Sequence, residues 1–128
     1  MKSAVVIGGM AVVLFAASAF AADVSGEINN AATHAGLAAQ ASDIAGVHTH
    51  LHHTVNCLVG PGGPGFDARE LNPCVNSGNG AIPDATSASA KQALQAALAK
   101  ANSGLAATDL ATAQKDASAT EAMLKAVK

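Results

Sequence analysis

An all-α fold, a small up-down bundle of three helices, is what the sequence predicts, and three observations carry that expectation. All four prolines lie between positions 61 and 83, which frees the flanking chain of the residue that most disrupts a helix. Apolar residues recur at helical spacing on both sides of that stretch. Much of the apolar content is alanine, whose small faces let helices approach closely.

The elements follow in order. Lys2, an uncharged and mostly apolar run over residues 4–17, and the small residues Ala19 and Ala21 have the layout of a secretory signal peptide. The expectation is a leader over 1–21, a single helical domain over 22–128, a periplasmic or secreted location, and no membrane span after cleavage. One long first helix is expected over about 27–58, where Leu37, Ile44, Val47, Leu51, Val55 and Leu58 fit a 3.6-residue period. Gly36 and Gly46 weaken it, each by up to about 1 kcal/mol relative to alanine. Residues 59–85, dense in Gly, Pro and Asn, read as a loop. Its length suggests a segment that is either tied down or disordered, and Cys74 near its middle argues for tied down. Asp84 and the Thr86-Ser87 pair offer N-caps for a second helix over about 85–101, with Leu94 and Leu98 on its apolar face. Asn102-Ser103-Gly104 reads as its stop, because glycine tolerates the left-handed conformation there. A third helix over about 105–127, with Leu110, Ala113, Ala117, Leu124 and Val127 in register, completes a helical hairpin.

Composition narrows the function classes. Beyond the leader, nine acids face six bases, a net charge of −3, and the chain has no Trp or Tyr. Phosphate neutralisation and base stacking are both poorly supplied, so no nucleic-acid partner is expected. No G-x-S-x-G, H-E-x-x-H or C-x-x-C occurs, and "GPGGPG" at 60–65 lacks the Lys-Ser/Thr of a phosphate loop. No enzyme and no organic cofactor is expected. With Phe66 the sole aromatic beyond the leader, the core is thin, and self-association would bury more apolar area. Cys57 and Cys74, the only cysteines, fit a disulfide in an exported chain. Such a bridge closes a loop of about 18 residues, worth on the order of 3 kcal/mol.

"HTHLHH", residues 48–53, sets four of the five histidines within six positions. His48 and His52, at i and i+4, would stand one turn apart on a helix, the spacing with which H-E-x-x-H helices hold zinc. On a wheel of about 100° per residue with His48 at zero, that pair borders the apolar stripe. His53 at about 140°, Cys57 at about 180° and His50 at about 200° fall on the opposite face, where His50 and His53 form a second pair. His34 lies about 21 Å from His48 along a continuous helix, which keeps it out of both pairs and leaves it to a separate or intermolecular site. Imidazole ligands favour Cu(II), with Zn(II) and Ni(II) behind. Asn56, Asp67 and Glu70 could add a ligand if the loop folds back. Protons compete for imidazole, whose ordinary pKa is about 6.5, so metal binding should fail in mild acid.

Chain size, the leader, alanine-rich helices and "HTHLHH" together resemble the small histidine-rich metal-binding helical proteins of bacterial periplasms. The resemblance implies an exported metal binder. Those proteins spread histidines along all their helices, whereas the second and third helices here have none, which leaves one or two sites rather than a high-capacity store. Two readings stay open. One is a transition-metal-binding helical protein using His48 and His52, with His50 and His53. The other is a structural or protein-interaction module whose disulfide-stapled loop docks a partner without metal.

Overall fold

The computed structural model describes residues 20–128 and comprises α1 (Val24–Gln40), α2 (Ile44–Val59), a one-turn α3 (Ala81–Asp84), α4 (Ala88–Ala106) and α5 (Leu110–Lys125). The expected leader lies outside the described residues except for its last two positions. Among the described residues, no helix is long and apolar enough to cross a membrane.

The all-α class stands, but the three-helix bundle becomes four long helices, because the first expected helix is two. Gln40 ends α1, and the chain reverses over Ala41, Ser42 and Asp43. Asp43 caps the new helix: its carboxylate accepts a hydrogen bond from the Gly46 N–H at 2.7 Å, satisfying a donor the first turn leaves unpaired. Gln114 of α5 donates to the Ala41 carbonyl at 2.8 Å and holds the reversal against the bundle. A Cβ on Gly46 would meet the Ala41 Cβ at 3.1 Å, so the glycine that weakens a continuous helix suits this tight turn.

α1 and α4 each pack against α2 and α5, and α2 and α5 touch more lightly across the bundle. Neighbours run antiparallel, with Ala31 beside Thr54 and His34 beside both His50 and His53 across α1 and α2. The core forms two stacked groups. Ala31, Ala35, Leu58, Leu94, Ala97 and Leu124 pack with Cys57 and Cys74. Ala38, Val47, Leu51, Val55, Ala101, Ala113 and Ala117 form the other, which the aromatic ring of Phe66 covers from the loop.

Gly104 is also reassigned. The second helix runs past it to Ala106, starting from Ser87, whose hydroxyl accepts from the Ala90 N–H at 3.1 Å. Gly104 is buried, and a Cβ there would stand 2.6 Å from Leu51 Cδ1, so it permits close approach rather than ending the helix. The following helix starts at Leu110, capped by Asp109 through the Thr112 N–H.

The 59–85 segment is tied down. Cys57 and Cys74 form the expected disulfide, with Cα atoms 5.2 Å apart and both residues buried. Gly60 and Gly80 adopt positive φ of 68° and 116°, and their backbones meet where the segment begins and ends. A Cβ on Gly60 would lie 1.6 Å from the Asn79 carbonyl oxygen. Gly60→Ala therefore combines a left-handed non-glycine residue with a backbone collision, and the expected outcome is a loss of more than about 2 kcal/mol in denaturant unfolding.

Glu27 is fully buried at the α1 side of this closure. Its Oε1 accepts from the Gly80 N–H at 2.8 Å, while Oε2 has no hydrogen-bond partner among the described residues. Burial raises its pKa above the ordinary 4.5, with the carboxylates of Asp84 and Asp23 adding to the shift and the Gly80 bond opposing it. Folding thus favours the protonated form, and the penalty on the folded state grows as pH rises above 4.5. Glu27→Gln keeps an acceptor for Gly80 and carries no charge. It should raise the melting temperature at neutral pH, with the gain shrinking as the melt is repeated toward and below pH 4.5.

Candidate metal centre

The reversal at 41–43 lays α1 antiparallel against the face of α2 that a single long helix would have turned to solvent. Two features let the helices close there. Ala31, Ala35 and Ala38 of α1 are fully buried and add little bulk. The buried Thr54 hydroxyl lies 3.2 Å from the Ala31 carbonyl and 3.1 Å from that of His50, sharing its one proton between the two helices.

One turn from Thr54 on this interface, three imidazoles converge. His34 Nδ1 stands 3.4 Å from His50 Nδ1 and 3.3 Å from His53 Nδ1. Ring centroids lie 5.0 to 5.6 Å apart, with the His53 ring nearly perpendicular to both others. One nitrogen from each ring falls within 4.8 Å of one from each of the others. Hydrogen bonding does not account for this arrangement. A ring nitrogen carries either one proton or one lone pair in its plane, so His34 Nδ1 can satisfy one neighbour, not two.

The two spacings from His34 do match a shared ion. Nitrogens bound about 2.0–2.1 Å from one centre at tetrahedral angles stand about 3.3–3.4 Å apart. Neighbouring ligands at right angles, as in square-planar Cu(II), would stand about 2.9 Å apart.

Electrostatics favour proton-free ligands. Burial lowers the pKa of both His34 and His53 below 6.5, and mutual repulsion among the three rings lowers it further. For His53 the carboxylate of Glu70 acts in the opposite sense. Glu70 Oε2 lies 3.5 Å from His53 Nε2, on the ring edge away from the triad. A carboxylate there favours the tautomer with the proton on Nε2, which leaves Nδ1 as a lone pair.

Asn56, fully buried one turn beyond His52, holds Glu70 in place. Its amide Nδ2 donates toward the carbonyls of Asp67 at 2.9 Å, Leu71 at 3.1 Å and Glu70 at 3.3 Å, and its Oδ1 accepts from the Asp67 N–H. Asp67 is committed elsewhere: the Arg69 guanidinium lowers its pKa to about 2 through direct hydrogen bonds.

Of the sequence-predicted site residues, His50 and His53 are brought together and His34 joins them. His48 and His52 are not part of this group. His48 Nε2 instead lies 3.1 Å from the Ala107 carbonyl, at the turn between α4 and α5. A continuous helix leaves His34 only to a separate or intermolecular site; the break between α1 and α2 brings it into this one instead. The cap signal Ser42-Asp43 ahead of Ile44 could have revealed the reversal. No protein-family model, curated protein or solved structure matches the chain.

Asn56→Ala would leave buried loop carbonyls and the Asp67 N–H without their partner, at a cost of about 2–4 kcal/mol. The expected outcome is a lower melting temperature together with faster protease cleavage within residues 60–80, read by mass spectrometry.

Proposed function

We propose that this is an exported helical protein that binds one tetrahedrally coordinated transition-metal ion, zinc in preference to Cu(II), through His34, His50 and His53. The observation that carries this reading is the placement of His34 Nδ1 at 3.3 and 3.4 Å from the two Nδ1 atoms of α2, the edge length of a tetrahedral trisimidazole centre. The lowered pKa of His34 and His53 and the carboxylate behind His53 support it. The disulfide supports an oxidising location outside the cytoplasm. Sequestration or delivery of the ion fits a small chain with one such centre.

Calorimetric titration with Zn(II) at about pH 7.5 should give one ion per chain, weakening about two units lower, where protons claim the imidazoles. His34→Ala, His50→Ala and His53→Ala should each abolish that binding, and Glu70→Gln should weaken it about tenfold. His48→Ala and His52→Ala should leave it in place. Binding that survives His34→Ala but fails with His48→Ala or His52→Ala would refute this assignment.

A second reading, a loop that docks a protein partner, is favoured by one observation: Leu71 and Val75, both on the disulfide-tied segment, are 60% and 66% exposed. Leu71→Ser with Val75→Ser would abolish such docking and leave zinc uptake unchanged, as judged by co-sedimentation with the partner and by calorimetry.

A further inference from the structure

We propose that the ion held by the three histidines keeps its fourth coordination position for a small monodentate anion from solution, making the centre an exchangeable, ligand-accepting site rather than a closed structural one. This rests on the metal reading above and adds the class of ligand the centre takes.

Among the described residues the chain offers no fourth His, Cys, Asp or Glu donor. The cluster of His, Cys, Asp and Glu side chains whose donor atoms converge contains His34, His50 and His53 alone. Glu70, the carboxylate next to the triad, faces Nε2 of His53, and the two nitrogens of one imidazole point away from each other. It can orient His53 but cannot reach an ion on the Nδ1 side. Cys57, one turn beyond His53, is spent in the disulfide with Cys74. Structural zinc sites close with four protein ligands, whereas three histidines leave a position open.

Access and charge then select the ligand. His34 and His50 are only half-buried, so solvent reaches the triad from their side. Three neutral imidazoles leave the two positive charges of the ion uncompensated, and the partly buried surroundings strengthen its pull on an anion. Hydroxide, azide or cyanide meets that demand through one donor atom.

The test uses the protein loaded with Co(II), which reports its coordination through visible absorption. Four-coordinate Co(II) gives strong visible bands, and azide should shift them saturably with one azide per ion. Glu70→Gln, loaded at the higher Co(II) concentration its weaker binding demands, should still give four-coordinate bands that azide shifts. Bands of a four-coordinate ion that azide leaves unchanged would overturn the open position. So would an azide response that is absent from the unaltered protein and emerges in Glu70→Gln, since Glu70 would then occupy the position. Failure to take up Co(II) at all would instead strike the metal reading, together with everything resting on it.

Discussion

The reversal between α1 and α2 is the constraint on which the rest depends. Asp43, by accepting from the Gly46 N–H, makes a new helix start cheaper than continuing the old one through Ala41 and Ser42. Gln114 binds the carbonyl at the point of reversal and so couples that local choice to the packing of α5. A continuous helix would expose the His50, His53 and Cys57 face to water. Folding back gives that face a neighbour, creates the fourth long helix, and carries His34 to the two histidines it faces across the interface.

The loop serves the same interface. The disulfide fixes Cys74 next to α1, with its Sγ 3.6 Å from the Glu27 carbonyl. Asn56 fixes the Asp67–Leu71 stretch on α2. Between those two anchors sits Glu70, so a long segment with little regular structure still presents one carboxylate at a defined ring edge. The Gly60 and Gly80 contact closes the far end. The polar interactions concentrate where the helical ladder ends, which is where unpaired backbone groups need partners.

Much of this was legible in the residues themselves. The helical class followed from proline confinement and periodicity, the bridge from there being two cysteines, and the tied-down loop from Cys74. Ser87 as a cap also followed from local chemistry. Other features depend on partners distant in sequence. Gly104 has the same local signature whether it stops a helix or lets one approach, and only Leu51 across the interface decides. Helical periodicity marks which side of α2 is greasy, not that a second, more polar side is also covered. A straight helix would carry His34 far from His48, and one capping aspartate makes the chain bend back. The candidate centre was therefore half visible: His50 and His53 belonged to the conspicuous cluster, while His34 stood alone fourteen residues before His48.

The alanine interior has a thermal consequence. Ala31, Ala35, Ala38, Ala97, Ala101, Ala113 and Ala117 fill positions that leucine or phenylalanine would occupy in a more conventional bundle. They expose little hydrocarbon to water when the chain unfolds. The heat capacity of unfolding scales with that newly hydrated area, and it sets the curvature of stability against temperature. This bundle consequently has a broad, shallow stability curve, one in which cooling and warming from the optimum change the folded population gradually.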